Sequence, residues 1–185
     1  MPVIISMLRG INVGGHNKIK MDALCALYES LKLEGPETHI QSGNVVFRTK
    51  EKNISALTKR IQDGIEHTFG FRPDVILRTA SELRGVIARN PFAKRRGIDP
   101  SKLLVTFLAG EPSAEARANL LKMDMAPEEL RIDGRELYTY HPNGMARPKV
   151  PWATIERTLK VSGTGRNCNS VNKLLEIAER LEGAS

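Results

Sequence analysis

Cysteine is scarce in this chain: 185 residues carry two, Cys25 and Cys168, far apart in sequence. Two distant thiols build neither a disulfide framework nor a thiolate zinc site. No apolar run approaches the roughly 20 residues that cross a bilayer as a helix, so no membrane partner is expected. The opening residues, Met1-Pro2-Val3-Ile4-Ile5-Ser6-Met7, lack the basic segment of a secretory leader and read as a first strand. The expected location is therefore cytoplasmic. His16, His67 and His141 have no sequence partner that completes a catalytic triad or a metal set. Whether a cofactor is bound is left open by the sequence. Acids are missing from the start of the chain, where Arg9, Lys18 and Lys20 precede the first carboxylate, Asp22.

Apolar residues make up 41% and charged residues 26%, which fits a globular protein able to bury a core, as one domain or two small ones. The formal charge is +7 and is unevenly spread. Arg84, Arg89, Lys94, Arg95, Arg96 and Lys102 face a single acid, Asp99, over 84–102. Between Arg147 and Lys173 six basic residues accompany Glu156 alone. Such clusters favour an anionic partner through long-range attraction; the plainer reading is a solvated basic surface.

Val3–Arg9 is apolar and β-branched at its start, the pattern of a buried strand. Met21, Leu24, Leu27, Tyr28 and Leu31 recur at helical spacing, and Gly35-Pro36 is expected to end that helix. His39–Gln41 and Val45–Arg48 read as short strands around a turn. Asn53 and Gly70 bracket a helix with Ile54, Leu57, Ile61, Ile65 and Phe69 on one face, and Asp74–Thr79 is a fourth strand. The order β-α-β-β-α-β predicts an α+β fold, a ferredoxin-like split βαβ unit over 1–80. Thr79 and Glu82 form a capping box for a helix that stops before Pro91, and 81–101 is read as helix and linker. The remainder, 102–185, is expected to be a second, related β-α-β-β-α subdomain. It has a hairpin at Asp133-Gly134 and C-terminal helices carrying Trp152, Ile155, Leu159 and Val171, Leu174, Leu175, Ala178, Leu181.

Three polar, glycine-bearing segments punctuate this frame, and each is expected to be a turn. The first contains Arg9, Gly10, Asn12, Gly14 and Gly15, with Lys18 and Lys20 close behind; the second is Gln41-Ser42-Gly43-Asn44; the third runs Thr164–Ser170 and includes Arg166, Asn167 and Asn169. Glycine lets backbone approach a ligand closely, while Arg, Asn, Gln and Ser supply donors and acceptors. The first segment is neither a Walker A loop, since no Gly-Lys-Ser/Thr follows, nor a dinucleotide fingerprint, since the glycine spacing is wrong. One reading is an anion cradle clamped by Arg9 and Arg166, shared by all three segments. The plainer reading gives each segment a purely local role, with positive φ at Gly14 and Gly15, an Asn12 side chain bonded to nearby backbone, ordinary hairpin chemistry at Ser42–Asn44, and an asparagine N-cap before the last helix.

Leu8-Arg9-Gly10-Ile11-Asn12-Val13-Gly14-Gly15, Ile40-Gln41-Ser42-Gly43-Asn44-Val45-Val46-Phe47, Asn90-Pro91-Phe92 and Arg166–Leu174 together resemble the bacterial domain-of-unknown-function 1697 family, over essentially the whole chain. The resemblance implies ferredoxin-like α+β units and no activity. The chain departs from the family at Cys168, where Trp is typical, and at His39, where Tyr is typical; the resemblance therefore argues against essential chemistry at either residue.

Two functions follow as expectations: binding of a small anionic ligand, phosphorylated or carboxylated, with or without a reaction upon it, or a nucleic-acid-binding module using the basic patches. RNA-recognition domains of related topology stack bases on sheet aromatics. Here aromatics are 5%, and Phe47 alone falls on a suitable strand of the first unit.

Overall fold

The computed structural model describes residues 1–184. Among these the fold is α+β, with two four-stranded antiparallel sheets and six α-helices. The chain divides into two compact units, Met1–Gly85 with the chain from Asn172 onward, and Val86–Val171.

The first unit is built on β1 (Val3–Leu8), every residue of which is buried. A strand apolar on both faces must be flanked and covered, and β1 pairs with β3 (Asn44–Arg48) on one side and β4 (Val75–Thr79) on the other. The sheet order is β2-β3-β1-β4. Helices α1 (Met21–Ser30) and α2 (Ile54–Phe69) bury Leu24, Leu27 and Tyr28, and Leu57, Ile61 and Ile65, against Ile4, Leu8, Val45 and Phe47. Asn53 caps α2 by accepting from the Ala56 amide at 3.0 Å, and Gly70 closes it at φ 81°. The Thr79–Glu82 capping box is present at the start of α3 (Ala80–Ala88): the Thr79 amide donates to Glu82 at 2.8 Å and the Glu82 amide to Thr79 at 3.1 Å.

Gly35-Pro36 does not end α1. The helix stops at Ser30, with Lys32 in the left-handed region at φ 58°, and Gly35-Pro36 lie inside β2 (Glu34–His39). Proline cannot donate to a ladder, and β2 accommodates it as the edge strand, where the register with β3 shifts between Glu34 and Glu37.

In the second unit β5 (Leu103–Leu108) is central, α4 (Ala114–Leu121) and the hairpin β6 (Glu129–Asp133) and β7 (Glu136–Tyr140) follow, and α5 (Trp152–Leu159) precedes β8 (Gly163–Asn167). The order is β6-β7-β5-β8. Strand for strand it repeats that of the first sheet. The final helix, α6 (Cys168–Gly183), carries Arg180, which pairs with Glu37, and Glu179 and Glu182, which pair with Arg84. These ion pairs fasten the later part of α6 to the first unit.

β8 corrects the expectation of a turn over Thr164–Asn167. Gly163-Thr164-Gly165-Arg166-Asn167 has no apolar residue, so hydrophobic periodicity gives no strand signal there. Close approach to β5 demands small residues instead. A Cβ on Gly163 would lie 2.9 Å from the Phe107 carbonyl oxygen, and one on Gly165 would lie 3.2 Å from the Leu104 side chain. Gly163→Ala is expected to destabilise the protein by about 1–3 kcal/mol, the usual cost of overpacking, measured by urea denaturation; an unchanged midpoint would show that β5 and β8 separate freely.

Candidate functional site

The first two polar turns are one construction. Asn12, itself left-handed at φ 57°, donates from its amide nitrogen to the carbonyls of Ile19 and Gln41, both at 3.0 Å, and its Oδ1 accepts from the Ile19 amide at 2.9 Å. One side chain thus closes its own loop and ties it to the neighbouring turn. Asn17 adds a bond from its amide to the Gly10 carbonyl at 3.2 Å. Gly10, Gly14 and Gly15 have φ of 69°, 58° and 79°, the region that disfavours a side chain.

The second turn is fixed by contact. The Leu8 amide donates to the Gly43 carbonyl at 3.0 Å, and a Cβ on Gly43, at φ 77°, would stand 2.8 Å from Leu8 Cβ and 3.0 Å from Ile11 Cγ1. Asn44 is fully buried and donates to Ser42 Oγ at 2.7 Å and the His39 carbonyl at 3.3 Å. Gly43 and Asn44 therefore hold the turn's shape.

A hollow of about 740 Å³ opens beside these turns, lined by Asn12, Gly15, Lys18, Lys20, Asp22 and Gln41 together with Ile19 and Met21. It brings together five of the residues singled out from sequence. Arg9, Gly10, Gly14, Ser42, Gly43 and Asn44 are not in its lining. Arg9 Nη1 lies 3.5 Å from Asp74, and the Arg9 amide donates to the Asp74 carbonyl at 3.0 Å. α1 begins at the hollow, and its N-cap residue, Lys20, makes no side-chain capping bond.

Arg166, Asn167 and Asn169 belong to the second unit. Arg166 is buried on β8 and donates from Nη1 to Thr164 Oγ1 at 2.7 Å and to the Gly165 carbonyl at 2.9 Å; burial pushes its pKa down to about 10. Arg78, at the matching place on β4, is also buried and donates from Nη1 to the carbonyl before it, that of Leu77, at 3.0 Å. Asn167 caps α6 by accepting from the Ser170 amide at 2.9 Å, and Asn169 is exposed. Burial raises the pKa of the Cys168 thiol, and an Asn90 amide 3.5 Å away offsets this in part. A thiol held protonated is a poor nucleophile. Phe47 is fully buried edge-on to Tyr28, at 5.4 Å between ring centroids, and presents no face for a base.

His141, which has no partner evident in the sequence, acquires a neighbour in the fold. It is buried, its Nδ1 and Nε2 find no partner in the protein, and Glu128 Oε2, also buried, finds none either. The β6–β7 hairpin, residues 129–140, separates the two, so spacing gives no hint of their shared surroundings. Among the described residues no group of three or more His, Cys, Asp or Glu side chains is placed to hold a metal, and no helix is long and apolar enough to cross a membrane.

The model of a family described as protein of unknown function, DUF1697, matches residues 1–138. No curated protein matches. The structure of conserved bacterial protein SP0830 from Streptococcus pneumoniae superposes with a TM-score of 0.77 over 97% of this chain and 99% of that one, at 20% identity, a likeness of fold.

Asn12→Ala is expected to cost about 1–2 kcal/mol, from hydrogen bonds each worth about 1 kcal/mol, and to abolish exchange protection at the Ile19 amide; a protected Ile19 would remove Asn12 from this role. Burial also lowers the pKa of His141 below its usual 6.5, with Glu128 opposing in part. The unfolded chain therefore binds this proton first as pH falls. Stability should be complete above about pH 6.5 and decline below it, by up to about 1.4 kcal/mol per pH unit, until the folded imidazole is also protonated. Burial lowers the pKa of His39 as well, so the comparison is wild type against His141→Leu in thermal melts across this range. Identical slopes would overturn the assignment.

Proposed function

The chain belongs to this family of proteins of unknown function, and we propose that its first unit binds a small phosphorylated or carboxylated molecule in the hollow beside α1. One arrangement supports the reading: Lys18 and Lys20 line the hollow where α1 starts without a side-chain cap from Lys20. The first-turn N–H groups of a helix lack intrahelical partners and sit at the positive end of its dipole, so an oxyanion there gains both hydrogen bonds and charge attraction. Gln41 adds an amide that both donates and accepts, and Gly15 leaves the rim without a side chain. Asp22, in the first turn, opposes an anion and sets the sign of a control.

The binding region comprises the first two turns. Arg166 and Asn167 form hydrogen bonds with acceptors and donors of their own segment, which supports a structural part for them. We read the β-α-β-β-α-β run of the first unit, and its repetition through β5–β8, as two ferredoxin-like units; the sheet orders support this.

Calorimetry with inorganic phosphate tests the site. Lys18→Ala and Lys20→Ala should each weaken binding by about 0.5–1 kcal/mol, as for exposed charges near a helix start, and Asp22→Asn should strengthen it by a similar amount. Affinity indifferent to all three substitutions would refute the assignment. A short RNA that binds with a steep log–log salt dependence while phosphate does not would replace it with a nucleic-acid interface.

A further inference from the structure

The two sheets share an order, and their registers align residue by residue. In the first unit Ile4 stands opposite Phe47, and in the second Leu104 stands opposite Thr139. Side chains opposite one another in a ladder share a face. The face carrying Ile4, Ser6 and Phe47 is filled: Phe47 packs edge-on to Tyr28, and the Tyr28 hydroxyl meets Ser6 Oγ at 2.8 Å. In the second unit Thr106 and Thr139 stand in the places of Ser6 and Phe47, and α4 brings no aromatic side chain. A cavity of about 170 Å³ lies there instead.

Its wall is mostly apolar, with Trp152, Ile155 and Leu137 among the lining side chains, and its polar members are Thr106, Thr139, Glu128 and His141. The 141–151 segment joining β7 to α5, which in the first unit has the short counterpart 49–53, contributes Met145, Pro148 and Val150. His141 is 6% exposed and Glu128 7%. The Glu128 Oε1 accepts from the Lys149 amide at 3.4 Å, whereas Oε2 and both imidazole nitrogens have no partner in the protein. Buried polar atoms normally have partners, and each that lacks one carries its full desolvation penalty.

We propose that this cavity is a binding site for a single-ring organic molecule bearing an O–H or N–H donor. Size sets the first part: an engineered apolar cavity of about 150 Å³ holds benzene. Chemistry sets the second. A carboxylate oxygen accepts, and a neutral imidazole accepts at one nitrogen and donates at the other, so a hydroxyl group on the ring satisfies what the wall offers. Trp152 supplies an aromatic surface beside the ring. The inference is independent of the anion site, which lies in the first unit.

Trp152 is the single tryptophan of the chain, so its fluorescence reports on this cavity alone. Phenol and toluene, equal in shape and different in the donor, are titrated into the full-length protein. Saturable fluorescence change is expected with phenol, with affinity about tenfold above toluene, the worth of a hydrogen bond to a charged group. His141→Leu and Glu128→Gln should each reduce the phenol preference while toluene binding persists. His141→Leu replaces an unpartnered polar group by an apolar one and is expected to remain folded, checked by circular dichroism. Absence of a saturable response to phenol, or equal affinity for the two probes, would overturn the proposal.

Discussion

The closeness of Leu8 to Gly43 governs the first unit. At this point β1 leaves the sheet, and the turn before β3 passes over it with a backbone hydrogen bond of 3.0 Å and no room for a Cβ. Because the two turns are pressed together here, Asn12 can reach across from one to the carbonyl of Gln41 in the other. The loop is then closed on Ile19, a buried side chain that anchors the entry to α1. The placement of Lys18, Lys20 and the helix start follows from this chain of contacts, each set by backbone geometry.

Much of this was legible in the sequence because the signals are local. Asn53, Gly70 and the Thr79–Glu82 box mark helix ends by side-chain chemistry that acts within three or four residues. β1 and β5 announce themselves by apolar runs interrupted by one hydroxyl residue each, Ser6 and Thr106. What escaped depends on partners distant in the chain. Gly163–Asn167 is a strand because β5 pairs with it, and its small residues answer the bulk of Leu104 and Leu108. Gly35-Pro36 looks like a helix stop, yet an edge strand tolerates the same dipeptide. For the site, the first two turns were recognisable, but their polar residues divide: Asn44 bonds within its own turn, Asn12 both bonds to backbone and lines the hollow, and Lys18, Lys20 and Gln41 line it as well.

The two units show how one strand order supports different interiors. Their central strands occupy matching registers, and a buried arginine sits at the same place on β4 and β8, donating to the carbonyl before it in each. The interiors diverge where Ser6 and Phe47, packed against Tyr28, are answered in the other by Thr106 and Thr139 with no aromatic side chain from α4 above them. Fold and cavity are thereby separable: the ladder depends on backbone hydrogen bonds common to both, and the volume left inside depends on which side chains the ladder carries.

The edge strands have a consequence of their own. An open strand edge presents unpaired N–H and C=O groups that can recruit another chain into a continuous sheet. β2 interrupts that template with Pro36 and a shift in register, and β6 carries Glu129, Arg131 and Asp133 along its length. Each unit thus discourages strand addition at one edge by different means, an irregular backbone in the first and alternating charge in the second. Replacing Pro36 or neutralising the β6 charges would act on self-association in crowded solution before it acted on folding of the isolated chain.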